Sequence, residues 1–353
     1  MSGTVKCAVI GTGAIGRYHI EGFQKHPQAE VVAICDINQK RRQEAADKFN
    51  VARQVEDYRE LLKDKSIDVI SVALPNALHA EVSIAALKAG KHVMLDKPMA
   101  TSAKEGKQIL DAWKEKKVVF MVGQNFRFHK ETQALNEYIR NGDLGEIYHA
   151  RAHWLRRSGI PRIGSWFTQK KQAGGGCCYD IGVHFLDMTL YLMGTFDAES
   201  VTGITQAKFG PKGLGDGTWG LGDIDPKKPF DVEDLSVAMV KLKGHKSVLL
   251  EISWALHADG SAKDHGVELY GTAGGATLFP AKIYKVKGNG DNFETITPDL
   301  RKLPLPEDRM VHFIDCVINR TPPIVNPEES LKVQKILDGI YESSKTGKEV
   351  RIG

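Results

Sequence analysis

The sequence predicts an α/β domain with a doubly wound parallel sheet over residues 1–123, joined to an α+β domain over residues 124–353 with a large, mostly antiparallel, open-faced sheet. Three observations predict it. The chain has 353 residues, more than one hydrophobic core usually serves. Its first third alternates short apolar runs with amphipathic segments, the pattern of a parallel sheet covered on both faces by right-handed crossovers. Near Gly123 that pattern gives way to longer strands of alternating polarity with helices held to one side.

In the first domain the apolar run 5–10 leads through a glycine turn into an amphipathic helix over 15–26. Strand 30–35 is followed by a charged helix over 39–49, then 51–55, a helical 58–63 and strand 69–74. A helix over 78–89 stops at Gly90, a residue that tolerates the left-handed geometry of a C-terminal cap. Strand 92–95, helix 103–116 and strand 118–122 complete the unit. Beyond residue 147 the alternating strands are 148–155, 198–208, 235–242, 247–256 and 265–270. One helix, 178–193, comes early in this region and another, 329–343, closes the chain. Residues 208–229, rich in Gly, Asp and Pro and without periodicity, read as a long surface loop.

The formal net charge is only +4 and the basic residues are scattered, so nothing suggests a nucleic-acid partner. No apolar run has the length of a membrane span, and the amino terminus lacks the pattern of a signal peptide. Five cysteines, an odd number, fit a reducing compartment, and the expected location is cytoplasmic. Cys177 and Cys178 are adjacent and poorly placed to bridge, so packing is the expected role of the pair.

Gly11-Thr12-Gly13-Ala14-Ile15-Gly16 sits between a strand and a helix, the context of a Rossmann nucleotide-binding turn. The first glycine permits the turn, the second lets the backbone approach a pyrophosphate, and the third lets helix and strand pack closely. The next strand ends on Asp36, placed to accept from both hydroxyls of an adenosine ribose and to repel a 2′-phosphate. NAD is therefore expected over NADP, and Arg41 and Arg42 just beyond are expected on a solvated helix face.

Further motifs run through the chain: Leu74-Pro75-Asn76-Ala77-Leu78-His79, then Ala89 to Pro98 ending in Asp96-Lys97-Pro98, and Gly174-Gly175-Gly176 running on to Asp187. With Asn125-Phe126-Arg127-Phe128, Gly142-Asp143-Leu144-Gly145 and Phe230-Asp231-Val232-Glu233-Asp234, they follow one another in order over nearly the whole chain. In these segments the sequence resembles the glucose–fructose oxidoreductase, inositol dehydrogenase and rhizopine-catabolism (Gfo/Idh/MocA) family. That family usually has Glu-Lys-Pro where this chain has Asp96-Lys97-Pro98, a carboxylate one methylene shorter beside the same lysine. The resemblance implies a substrate that is a sugar, sugar derivative or inositol, and a homo-oligomer, dimer or tetramer, formed through the open sheet face.

Lys97 follows a strand of the nucleotide domain, where an ammonium can hydrogen-bond a reacting oxygen and stabilise charge as it forms. Asp180 and His184 are four residues apart on a predicted helix, on one face, and the glycines before it are read as letting its end approach a ligand. His184 is the natural proton acceptor, and Asp180 accepts from the substrate or orients the other groups. Matching family members use a lysine, an aspartate and a histidine in this way. The expected cofactor contacts are Gly11, Gly13, Ala14, Ile15, Gly16, Asp36, Pro75, Asn76, His79, Asp96, Lys97 and Arg127, with capping as the other reading of Asn76. Expected substrate contacts are Lys97, Arg156, Arg157, Trp166, Asp180 and His184, with His153 beside them; an inter-subunit contact is the other reading of Arg156, Arg157, Trp166 and His153, and Trp219 is expected to cap this cleft or that of a neighbouring subunit. Asp187 is expected to hydrogen-bond within its domain, and no metal is expected. Two other readings stay open: glycoside hydrolysis through transient oxidation with NAD retained, and a non-catalytic nucleotide-sensing regulator. Retention of all three chemical groups counts against the regulator.

Overall fold

The computed structural model describes residues 3–219, 223–225, 227–228, 230–259, 265–287, 290, 292–301 and 308–353. The first domain runs β1 (Val5–Ile10), α1 (Ala14–Gln24), β2 (Ala29–Cys35), α2 (Gln39–Phe49), β3 (Arg53–Val55), α3 (Tyr58–Lys63), β4 (Val69–Val72), α4 (His79–Lys88), β5 (His92–Leu95), α5 (Ala103–Lys114) and β6 (Phe120–Val122). Its strands are parallel in the order β3-β2-β1-β4-β5-β6. All four residues of β4 are buried, as expected of a strand covered by helices on both faces. The winding reverses between β1 and β4, and ligands of such sheets bind outside the carboxyl ends of the strands at that point.

The second domain contains α6 (Lys130–Arg140), β7 (Ile147–Leu155), α7 (Lys170–Ala173), α8 (Val183–Met193), β8 (Ala198–Gln206), β9 (Leu235–Leu242), β10 (Lys246–Ser253), β11 (His265–Gly271), β12 (Gly275–Leu278), β13 (Lys282–Lys287) and β14 (Asn292–Ile296). After it come α9 (Arg309–Asn319), α10 (Pro327–Thr346) and β15 (Val350–Arg351). The nine strands are ordered β14-β13-β12-β11-β7-β10-β9-β8-β15, antiparallel except where β7 lies parallel to β10. Helices α8 and α10 pack on one face of this sheet. Along β9, Ser236, Ala238, Val240 and Leu242 are buried while Val237, Met239 and Lys241 are exposed, the period-two signature of a sheet with one uncovered face.

The structure moves one boundary. Met310, Phe313, Ile314 and Val317 of α9, with Val325, belong to the hydrophobic core of the first domain. Met310 lies against Gly22 of α1, so closely that a Cβ on the glycine would come within 2.9 Å of its side chain. The stretch 124–353 is thus not all second domain, because the chain returns to the first core before α10. Helices α6 and α9 and strands β12 to β15 were not expected from the sequence. Of the expected loop 208–229, residues 220–222, 226 and 229 lie outside the described residues. Its described part holds a short turn of 3-10 helix, Gly210–Lys212, and a bridge from Asp216 to Ile160. All five cysteines are free and buried, and burial pushes the Cys177 and Cys178 thiols upward, as suits packed side chains.

Candidate active site

At the end of β1 the glycine turn is shaped by close approach. Gly11 has φ of +93°, and a Cβ there would lie 2.1 Å from the Ala73 carbonyl oxygen. A Cβ on Gly16 would lie 1.8 Å from the Gly11 oxygen. Gly13 differs, since a Cβ there would meet nothing within 4 Å. It borders open space at the start of α1, which no side chain caps and whose first turn, opening with Ala14 and Ile15, carries no acid. Unclaimed amides and the positive end of the helix dipole fit a pyrophosphate there.

Asp36 is held against this turn. Its Oδ2 accepts from the Thr12 amide at 2.8 Å and the Thr12 hydroxyl at 2.9 Å, and its Oδ1 accepts from the Asn38 amide at 2.9 Å. Arg41 Nε lies 3.2 Å from Oδ2, and Arg42 donates to the Asp36 carbonyl. Both arginines therefore engage Asp36 instead of standing on a solvated face, because the helix starts only three residues beyond the acid. Ile37, next in sequence, leaves its side chain 82% exposed and offers an apolar surface to an adenine ring. The sequence reading missed it. At the carboxyl end of β6, Gln124 Oε1 and Asn125 Oδ1 are buried without a partner among the described residues. Such orphaned acceptors suit the amide of a nicotinamide. The residues present thus fit NAD at both of its ends.

The chemical groups converge from two domains. Lys97, just after β5, donates from Nζ to Asp180 Oδ1 at 2.8 Å and to the Asp180 carbonyl oxygen at 2.5 Å. Asp180 lies in a turn of π-helix, Cys178–Gly182, that precedes α8, so the expected single α-helix over 178–193 begins with a widened turn. The other carboxylate oxygen accepts from Trp254 Nε1 at 2.9 Å. His184, on the first turn of α8, stands with its ring centroid 5.1 Å from that of Phe126. Its Nδ1 is buried with no partner among the described residues. Burial, reinforced by the Lys97 charge, pushes its pKa well below the ordinary histidine value, so the ring is neutral near pH 7.

Beneath the lysine, Arg309 of α9 reaches under the sheet. It donates to Asp96 Oδ1 at 3.3 Å, to His19 Nε2 at 3.1 Å and to the Gly123 carbonyl at 3.2 Å. Burial pushes the Asp96 carboxyl up, but neighbouring His19 and Arg309 outweigh it and hold the group below the usual carboxylate range. The shorter acid of this chain is therefore a bound counter-ion beside Lys97. Arg309 was invisible to motif reading, since it lies far along the chain from the residues it serves.

Several expected contacts are placed elsewhere. Arg127 is fully buried, pairing with Asp187 at 2.8 and 2.6 Å and with Glu329 at 2.6 Å. Its guanidinium is committed to this ion pair and does not face a cofactor. His79 is fully buried too, its ring nitrogens 2.8 Å from the Pro98 carbonyl and 2.9 Å from that of Leu74. Burial lowers its pKa, so the neutral ring donates to one carbonyl or the other and braces the turn after Lys97. Asn76 caps nothing; Pro75 precedes its turn, and Asn76 Nδ2 donates 2.7 Å to the Ala173 carbonyl, tying the two domains together. The glycine run has a packing cause, because a Cβ on Gly175 would strike the Tyr341 hydroxyl and one on Gly176 the Glu233 carbonyl, at 2.0 and 1.9 Å.

On the second-domain side, the Arg156 guanidinium lies 4.3 Å from the Trp154 ring centroid and 6.0 Å from that of Trp219. Trp166 stacks on Phe167 at 3.8 Å, Phe167 meets Trp219 edge-on, and Trp219 Nε1 donates to the Gly159 carbonyl at 3.2 Å. Trp219 thus packs on its own subunit. Arg157 is exposed. His153 lies within β7. Among the described residues, no group of three or more His, Cys, Asp or Glu could hold a metal, and no helix is long and apolar enough to cross a membrane.

A dinucleotide cradle facing a lysine–aspartate–histidine cluster defines a pyridine-nucleotide oxidoreductase. Residues 5–124 match the oxidoreductase family with an NAD-binding Rossmann fold, and 132–277 match the GFO/IDH/MocA C-terminal domain. The chain belongs to the Gfo/Idh/MocA oxidoreductase family, and its cofactor is NAD. It is 32% identical over 353 residues to D-glucoside 3-dehydrogenase of Escherichia coli (strain K12), covering 99% of this chain and 98% of that one. It is 32% identical over 280 residues to levoglucosan dehydrogenase of Pseudarthrobacter phenanthrenivorans, covering 75% and 71% respectively. The solved structure of a levoglucosan dehydrogenase with NADH and levoglucosan superposes with a TM-score of 0.86 at 25% identity, over 99% of both chains.

Proposed function

We propose that this chain is a dehydrogenase that oxidises a secondary hydroxyl of a glycoside, anhydrosugar or cyclitol, with Lys97, Asp180 and His184 acting at the reacting hydroxyl. The observation that carries the reading is the grip of Asp180 on Lys97 across the domain junction. An ammonium has three N–H donors. Two of those on Lys97 go to Asp180, which leaves the third for a substrate oxygen. Bound NAD supplies the hydride acceptor for the carbinol carbon. Lys97 stabilises the charge that grows on the oxygen as its proton leaves. His184, neutral near pH 7, takes that proton on its ring and returns it in the reverse direction. In this reading Arg156, Trp166 and Trp219 form the second-domain wall of the cleft, where a guanidinium suits hydroxyls and flat rings suit a sugar face. Glucoside, levoglucosan and inositol dehydrogenases among the relatives support the substrate class.

Purified protein incubated with NAD and a panel of methyl glucosides, levoglucosan and myo-inositol is expected to accumulate NADH with at least one of them. Lys97→Met is expected to lower turnover by about 10²–10³-fold, the range for losing one donor to a developing oxyanion. Full turnover by this variant would end the reading. Release of free sugar from an aryl glycoside without NADH accumulation would favour hydrolysis through transient oxidation instead.

A further inference from the structure

The segment Phe230-Asp231-Val232-Glu233-Asp234 and the buried Trp254 take no part in the chemistry above, yet they meet beneath Asp180. Trp254 is fully buried, so its indole N–H must find an acceptor inside the protein. That acceptor is Asp180 Oδ2, the carboxylate oxygen that Lys97 does not use. The indole is itself held in place. The Trp254 amide donates 2.8 Å to the Asp234 carbonyl. The Asp234 carboxylate in turn accepts from the amides of Lys208, Phe209 and Gly210 at 2.9, 2.7 and 2.9 Å.

The neighbouring Glu233 secures the other side. Its buried carboxylate accepts from the Gly176 amide at 2.8 Å, the Cys178 amide at 2.9 Å and the Tyr341 hydroxyl at 2.8 Å. These amides open the π turn that carries Asp180. Two consecutive residues, Glu233 and Asp234, therefore fix both the turn bearing the acid and the indole that binds it.

We infer that Trp254 is a positioning residue for the oxidation: its N–H pins Asp180 Oδ2, so that Oδ1 and the carbonyl of the same residue grip Lys97 and leave its remaining N–H to the substrate oxygen. This rests on the assignment of Lys97 and Asp180 as the reacting groups. A carboxylate held by one partner alone rotates about its side-chain bond and carries the lysine with it, and such sub-ångström losses of aim are costly in catalysis.

Trp254→Phe keeps an aromatic ring in the core and removes the N–H. The expected kcat loss is about ten- to a hundredfold, the worth of a hydrogen bond to a charged group. NADH affinity, read by fluorescence titration, is expected to stay at the wild-type value, since the hydrogen bonds Trp254 makes among the described residues go to Asp180 and Asp234, neither of which is assigned to the cofactor. In an Asp180→Ala background, Trp254→Phe is expected to cost nothing further, because its effect passes through Asp180. A purely structural role would instead give losses that add. If Trp254→Phe does not fold, β-(3-benzothienyl)alanine at position 254 replaces the ring N–H by sulfur at nearly constant volume, with the same expectations. Wild-type kcat in either variant, additive losses in the double variant, or weakened NADH binding overturns the inference. Should Lys97→Met and Asp180→Ala keep full turnover, the functional assignment fails. Should they lose turnover while Trp254→Phe keeps it, the role of Trp254 alone fails.

Discussion

At the scale of single residues, the interior is populated by neutral histidines. Burial lowers the pKa of His19, His79 and His184 below the ordinary value of 6.5. A histidine whose folded pKa lies below its unfolded one leaves the unfolded state with more protons as pH falls, so stability is lost on acidification below about 6.5. Each such ring contributes up to about 1.4 kcal/mol per pH unit in that window. Asp96 acts in the same direction at lower pH, its depressed pKa giving stability that is lost as pH falls below its ordinary 3.8. The melting temperature is expected to drop between about pH 7.5 and 5.5, and a flat profile would contradict the neutral state of these rings. The difference between Lys97 and Arg127 shows what a sequence can reveal at this scale. Lys97 is legible because Pro98 and the preceding strand fix its place locally. The fate of Arg127 is decided by Asp187 and Glu329, 60 and 202 positions away.

Among the elements, the glycine turn was legible because Gly11 and Gly16 answer local steric demands, whereas α1, expected over 15–26, runs Ala14–Gln24. Gly13 and Gly16 nevertheless predict different phenotypes. Gly13→Ala adds a methyl group into open space, so the fold is expected to survive while NAD affinity falls by roughly tenfold or more as the pyrophosphate is pushed from the helix end. Gly16→Ala drives a methyl group into the Gly11 carbonyl, and a stability loss of about 1–3 kcal/mol is expected. Calorimetric titration with NAD beside a denaturant melt separates the two. Equal effects of both substitutions on both readouts would refute the distinction. Helix α9 was missed although Asp308 caps it and Met310, Phe313, Ile314 and Val317 keep a helical period. The π turn at Asp180 has no sequence signature, because it is imposed by Glu233 from a distant strand end.

For the whole molecule, the uncovered face of the large sheet carries exposed apolar side chains. Ile204 pairs with Val237 across β8 and β9, and Val286 with Phe293 across β13 and β14, all four exposed. These pairs lie toward the two ends of the sheet, and exposed apolar side chains spread along an open face suit a protein contact. We propose a homo-oligomer built on this face. Sedimentation of the wild type is expected to give a multiple of the 39.0 kDa chain, and Val237→Glu is expected to shift it toward the monomer. A wild-type monomer at micromolar concentration would overturn the proposal.

The return of α9 to the first core also has a consequence for biogenesis. During synthesis the nucleotide-binding half emerges early, yet its packing against α1 waits for residues more than 300 positions beyond the first strand. Domains of many chains fold as they leave the ribosome, one after another. Here the earliest-made half cannot close until the chain is nearly finished. The same late helix delivers Arg309 beneath Asp96, so the cleft acquires its charge balance in the final stage of assembly.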